Sequence, residues 1–295
     1  MKRHALLLTF ALIVSLLPMT AHCDFFTDVK NAYLPGEVKA LMIGEMEAPI
    51  IEVEARTPLP LGVAIVLTEP FPSSLTLAQG NSLAGMLADK GWNVVISPFN
   101  MPMNSSPIEN GSEQAGETQT EDASIPADTT QFIHPRSNQL TQYLDFEAAT
   151  TALTLQLNAL DNYLQDRTGY RMVIAQGMLA TTYLSSMETE PSLQPDTFVA
   201  ISPFWPEENT NNLVIDTIAK ASFPVLDVSL SNFNEWEAST TTKRKIRAKN
   251  ALKLHYRQVI IPSNSLTFSI KEIKKNPKIH LVANVTIGWT RHLGW

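Results

Sequence analysis

Two apolar runs separated by one helical stretch restrict this chain more than any other feature. Gly62–Leu67 (GVAIVL) lies between Pro60 and Pro70, and Trp92–Ser97 (WNVVIS) follows Gly91. Continuous β-branched runs of this length predict strands buried on both faces. Between them Leu75–Lys90 has helical character and ends at a glycine, which suits a helix C-terminus. Strand, helix and strand in this order form a βαβ unit, with parallel pairing and a right-handed crossover.

The alternation continues along the chain. Val38–Ile43 and Ile50–Ala55 read as short strands before the unit, the second alternating apolar and acidic residues. After it, Leu140–Asp166 repeats apolar residues at helical spacing through Leu144, Ala148, Leu153, Leu157, Leu160 and Leu164. The expected order is then strand Met172–Ala175, helix Leu179–Met187, strand Thr197–Ile201, helix Leu213–Ala221, strand Val225–Val228, a basic helix and strand Gln258–Ile261. This predicts one α/β domain over 24–295, with a mostly parallel central sheet and helices on both faces. Ligands of such sheets bind beyond the carboxyl ends of the strands.

Two segments fall outside that pattern. Residues 1–23 carry Lys2 and Arg3, an apolar run from Ala5 to Leu17, and Ala21 and Cys23 near the end. They read as a secretory signal peptide, the apolar run being shorter than the roughly 20 residues that span a bilayer. Export to the periplasm is expected, with retention of the segment as an anchor as the other reading. His22 before Cys23 argues against lipidation, and the chain has 1 cysteine, so cleavage after it leaves no disulfide or thiolate chemistry. Residues 101–139 are acidic, rich in Ser, Thr, Asn and Pro, and read as a low-complexity surface insertion.

Charge is divided sharply along the sequence. Residues 24–242 hold 8 Lys and Arg against 28 Asp and Glu, whereas 243–295 hold 12 against one, Glu272. The densest basic stretch contains Lys243, Arg244, Lys245, Arg247, Lys249 and Lys253. It reads either as a patch for anionic lipid or an acidic partner protein, or as a solvated helix face. No nucleic-acid partner is expected.

The chemistry of such a fold should sit where the strand at 172–175 turns into its helix. An α/β-hydrolase places G-x-S-x-G there, holding the serine on a strained bend. The five positions here are Ala175, Gln176, Gly177, Met178 and Leu179. The nucleophile position is a glycine without a side chain.

Several short segments then connect the chain to a family. Val173–Gly177 (VIAQG), Phe223–Asp227 (FPVLD), Arg247-Ala248-Lys249, Tyr256-Arg257-Gln258 and Gly288-Trp289 occur in this order. Together they resemble an exported bacterial family, domain of unknown function 3530, over residues 30–295 apart from the insertion. The resemblance implies an α/β-hydrolase-like fold.

The remaining hydrolase positions depart from the catalytic pattern. Asp227 is available as the acid, although it lies within its strand. The base should be a histidine after Gln258–Ile261, yet the segment reads Pro262, Ser263, Asn264, Ser265, placing Asn264 there. The oxyanion turn after Gly62–Leu67 is Thr68-Glu69-Pro70, where proline has no N–H and Glu69 brings negative charge. Nucleophile, base and oxyanion turn therefore fail together. A catalytically degenerate protein with a binding or scaffolding role is the leading expectation, and an atypical esterase or lipase-like hydrolase is its rival.

Other residues offer less chemistry. Thr68, Glu69, Gln176, Met178, Trp205, Phe233 and Trp236 would line a cleft at the carboxyl edge. His255 reads as a structural histidine, and the pairs Asp145 with Glu147 and Glu235 with Glu237 read as solvated surface. No Walker loop, G-x-G-x-x-G, H-E-x-x-H or EF-hand loop occurs. No cofactor or metal is expected.

Overall fold

Side-chain alternation along the inner strands sorts the core into two layers, as the sequence runs require. A computed structural model describes residues 25–34, 36–71, 73–104, 143–262 and 277–295. Residues 1–23, expected to be a signal peptide, Asn264 and all but the first few residues of 101–139, expected to be an insertion, lie outside the described residues. In chain order the elements are α1 (Phe25–Asn31), β1 (Val38–Ile43), β2 (Met46–Val53), β3 (Gly62–Thr68), α2 (Leu77–Ala88), β4 (Trp92–Pro98), α3 (Phe146–Tyr163), β5 (Tyr170–Gln176), α4 (Met178–Thr189), β6 (Thr197–Ile201), α5 (Glu208–Lys220), β7 (Val225–Leu230), α6 (Glu235–Asn250), β8 (Tyr256–Ile261) and α7 (Pro277–His292).

The strands form one sheet of 8 in the order β1-β2-β4-β3-β5-β6-β7-β8. Pairing is antiparallel at β1–β2 and β2–β4 and parallel from β4 through β8. Val63, Ile65 and Leu67 of β3, with Val173 and Ala175 of β5, join the layer under α3, α4 and α5. Ala64, Val66, Met172 and Ile174 face the other way, toward α1, α2 and α7. Both faces of the inner strands are thus covered, which is why their sequences are unbroken apolar runs.

Helix ends follow local chemistry. A capping box sets the start of α2, because Thr76 Oγ1 accepts from the Gln79 N–H at 3.4 Å and Gln79 Oε1 accepts from the Thr76 N–H at 3.0 Å. The first helical residue is therefore Leu77, two residues later than the apolar pattern alone indicates. Asp145 caps α3 by accepting from the Glu147 and Ala148 N–H groups at 3.0 Å each. It is a cap, not one member of a carboxylate couple. The last helix, α7, is an addition to the expected order. It is fixed to the sheet by Trp289, buried, whose indole N–H donates to Thr197 Oγ1 at 2.9 Å.

Candidate functional site

The bend between β5 and α4 keeps the shape of a nucleophile elbow. Gly177 has φ 66° and ψ −132° and is the N-cap of α4. A left-handed φ of this kind is a glycine conformation, and a serine would sit there under strain. Backbone bonds fix the bend, since Gly177 N–H donates to the Ile201 carbonyl at 2.9 Å and the Phe204 N–H donates to the Gly177 carbonyl at 3.4 Å.

No room exists outside that bend for a side chain. A Cβ added at Gly177 would lie 2.6 Å from the Ser73 carbonyl oxygen and 3.3 Å from Cε1 of Phe204. The Ser73 carbonyl also accepts from the Gln176 side-chain amide at 3.3 Å. The turn after β3 therefore seals the elbow.

The residues expected to line a cleft are brought together here. Thr68, Glu69, Gln176, Met178 and Trp205 are buried. Phe233 and Trp236 are half-buried against the core. Phe204 meets Phe233 edge-on with centroids 5.9 Å apart, and Trp205 meets Phe146 at 4.9 Å. A cleft of about 360 Å³ lies toward the amino edge, among Leu184, Met187, Lys220 and Phe223.

Among the described residues, Glu69 is the one carboxyl beside the elbow whose environment is unusual. Its Oε1 accepts from the Ser74 hydroxyl, and its Oε2 has no hydrogen-bond partner among the described residues. Burial pushes its pKa up to about 7, with the Ser74 hydrogen bond opposing. A neutral acid is the comfortable form in this pocket. Its N–H is also taken, donating to the Leu75 carbonyl at 3.1 Å, so the oxyanion turn has no free donor at that residue.

Asp227 is not an acid at a strand end. It sits inside β7, fully buried, and binds Arg244 through Nε at 2.9 Å and Nη2 at 3.1 Å. The Tyr256 hydroxyl and Gln258 amide donate to its Oδ2 at 2.8 and 2.9 Å. Its acceptor capacity is spent on holding β7, β8 and α6 together.

Arg244 likewise does not belong to an anion-binding surface. Its guanidinium is fully buried and also binds Glu237 Oε1 at 3.0 Å and Thr240 Oγ1 at 2.6 Å. Burial alone would lower its pKa, but the Asp227 and Glu237 carboxylates hold it above the ordinary arginine value. Glu237 is accordingly an interior residue rather than solvated surface, and its Oε1 also accepts from Ser229 and Thr241 at 2.8 Å each. Of the other basic residues, Lys243, Lys245, Arg247 and Lys249 are exposed, and Arg247 pairs with Asp216 of α5 at 2.5 Å.

Two further polar residues hold this edge together, of which Asn211 was not singled out in the sequence. Ser202, at φ 45° after β6, accepts from the Leu230 N–H at 2.9 Å and ties the ends of β6 and β7 together. Asn211 accepts from the Trp205 N–H at 3.1 Å and donates to the Trp236 carbonyl at 3.0 Å. Neither belongs to a motif; only the folded chain brings their partners near. Among the described residues no group of three or more His, Cys, Asp and Glu could hold a metal ion, and no helix is long and apolar enough to cross a membrane.

Solved structures share this architecture. Esterase 2 of Thermogutta terrifontis, phosphoramylated by tabun, superposes with a TM-score of 0.56 at 8% identity, covering 89% of this chain and 97% of its own. Est1E of Butyrivibrio proteoclasticus with ferulic acid bound gives 0.50 at 11%, covering 86% and 98%. The predicted CIB-like hydrolase of Thermoplasma acidophilum gives 0.50 at 12%, covering 86% and 97%. No family model and no curated protein matches the sequence. Identities this low speak for the backbone and not for the reaction. The strand order, the elbow after β5 and these superpositions together show that the chain is a single domain of the α/β-hydrolase fold.

Proposed function

We propose that this is an exported, catalytically degenerate protein of the domain of unknown function 3530 family, with a binding or scaffolding role in the periplasm. One observation carries the loss of catalysis. The elbow holds a glycine, and the Ser73 carbonyl would stand 2.6 Å from any Cβ placed there. Removing a triad nucleophile leaves only the catalysis of the oxyanion hole, and here that turn is packed shut as well. The export part of the reading is supported by the character of residues 1–23.

The rival, an atypical esterase or lipase-like hydrolase, has one observation in its favour. Ser74 donates to Glu69, a carboxyl whose raised pKa places a base near neutrality. Both residues are buried, so a substrate would need the turn after β3 to open.

Fluorophosphonate labelling followed by peptide mapping, together with a screen of acyl esters, separates the two. The expected result is no labelled serine and no turnover above background, in contrast to the esterase of this fold that tabun modifies. A label on Ser74, lost in Ser74→Ala along with ester turnover, would establish the rival. Gly177→Ser is expected to gain no activity and to lose about 1–3 kcal/mol of stability through left-handed strain and the contact with Ser73. Urea denaturation measures that loss, and a stable, esterolytic Gly177→Ser protein would contradict the sealed elbow.

A further inference from the structure

The face of α6 opposite the Arg244 network is of a different kind. Glu237, Thr240, Arg244 and Ala248 form its buried stripe. Ile246 lies two residues beyond Arg244, about 200° around the helix, and is 54% exposed. Lys243, Lys245 and Lys249 surround it, exposed and without an ion pair among the described residues. This is a positive face with an apolar centre.

The turn that ends α6 extends this character. Leu252 N–H donates to the Lys249 carbonyl at 3.0 Å and Lys253 N–H to the Ala248 carbonyl at 3.1 Å. That bonding pattern needs a left-handed residue after the helix, usually glycine. The residue is Leu252, at φ 52°. It is 83% exposed, and Leu254 is 90% exposed. Between them Lys253 turns inward, its Nζ donating to the carbonyls of Ala221 and Phe223. The usual arrangement is reversed, with the ammonium group inside and the two leucines in water. A strained leucine that buries nothing points to a function outside the fold.

We propose that the α6–β8 turn is a membrane-docking tip, with Leu252 and Leu254 entering the interface of an anionic bilayer and Lys243, Lys245 and Lys249 facing its headgroups. Charge complementarity selects this occupant, because the basic collar is set on a chain whose residues 24–242 are strongly acidic. Residues 24–242, acidic as a whole, are repelled by the same surface. The turn precedes β8, so it lies at the amino edge of the parallel sheet, and docking there directs the sealed elbow away from the lipid.

The test labels Leu254→Cys with an environment-sensitive fluorophore in a full-length Cys23→Ser background. It is then mixed with vesicles of phosphatidylglycerol and phosphatidylcholine in equal amounts, or of phosphatidylcholine alone. A blue shift with the anionic vesicles only, weakened by high salt, is expected. Replacing Lys243, Lys245 and Lys249 by glutamine should weaken binding about fivefold per lysine. A Leu252→Gly, Leu254→Ser protein, read by sedimentation, should bind at least tenfold more weakly while melting no lower than the parent, since glycine relieves the left-handed strain. Residues 1–23 are common to parent and variant, so only the difference is read. Equal shifts with both vesicle types, no shift with either, or a shift produced only by a protein extract would overturn the proposal, the last assigning the surface to a protein partner.

Discussion

Arg244→Met is expected to be severely damaging, lowering stability by about 3–5 kcal/mol or preventing folding. The guanidinium lies between two buried carboxylates, Asp227 and Glu237, at 2.9 and 3.0 Å. Removing it leaves two anions in the interior with only hydroxyl and amide donors around them. Arg244→Lys should not rescue the fold, because an ammonium cannot reproduce the paired Nε and Nη2 contacts to one carboxylate. Lys245→Met, one position along the same helix but exposed, should change stability by less than about 0.5 kcal/mol. Urea denaturation of the three variants decides the matter. An Arg244→Met protein as stable as its parent would show that the carboxylates are neutral or find other partners.

Glu69→Gln is expected to do the reverse and to stabilise the protein at alkaline pH. The native carboxyl titrates at about 7 against 4.5 for an ordinary glutamate. Between those values the native state keeps a proton that the unfolded state has released. Stability must therefore fall as pH rises from about 4.5 to about 7, and the whole penalty is present above that range. The gap, at 1.36 kcal/mol per unit, amounts to about 3 kcal/mol. Glutamine keeps an acceptor for Ser74 but has no proton to lose. Thermal melts at pH 5 and pH 8 should show a gap between the two proteins that widens with pH. Parallel pH profiles would mean that Glu69 ionises at no cost, and so that the turn after β3 opens to water.

The succession of strands and helices along the chain was largely legible in the sequence, because a strand covered on both faces has to be a continuous apolar run, as Gly62–Leu67 and Trp92–Ser97 are; the placing of β4 between β2 and β3 was not, being set by contacts across the sheet. Gly177 at the elbow was equally visible, being fixed by its place after β5. What closes the elbow was not visible, since Ser73 comes from a turn far away in sequence and contributes its backbone oxygen, which any residue would supply. The Arg244 network was hidden for a different reason. A helix normally announces its buried side by an apolar stripe, but the buried stripe of α6 is Glu237, Thr240, Arg244 and Ala248. Arg244 stands between two lysines that do face water, so the sequence groups it with them. Lys253 misleads in the same way, and burial pulls its pKa down to about 8. Leu252 and Leu254 carried the converse signal, as leucines usually indicate core.

The order of strands also sets a clock. β3 occupies the middle of the sheet, yet one side of it is completed only when Val66 meets Ile174 of β5, after residues 101–139 and α3 have been made. Closing so long a loop before any contact rewards it delays folding toward the millisecond-to-second range. Until then the most apolar strand of the chain has one flank unpaired. For a protein exported as proposed above, that delay is an interval in which the nascent chain is still a thread, available for translocation before the sheet can lock.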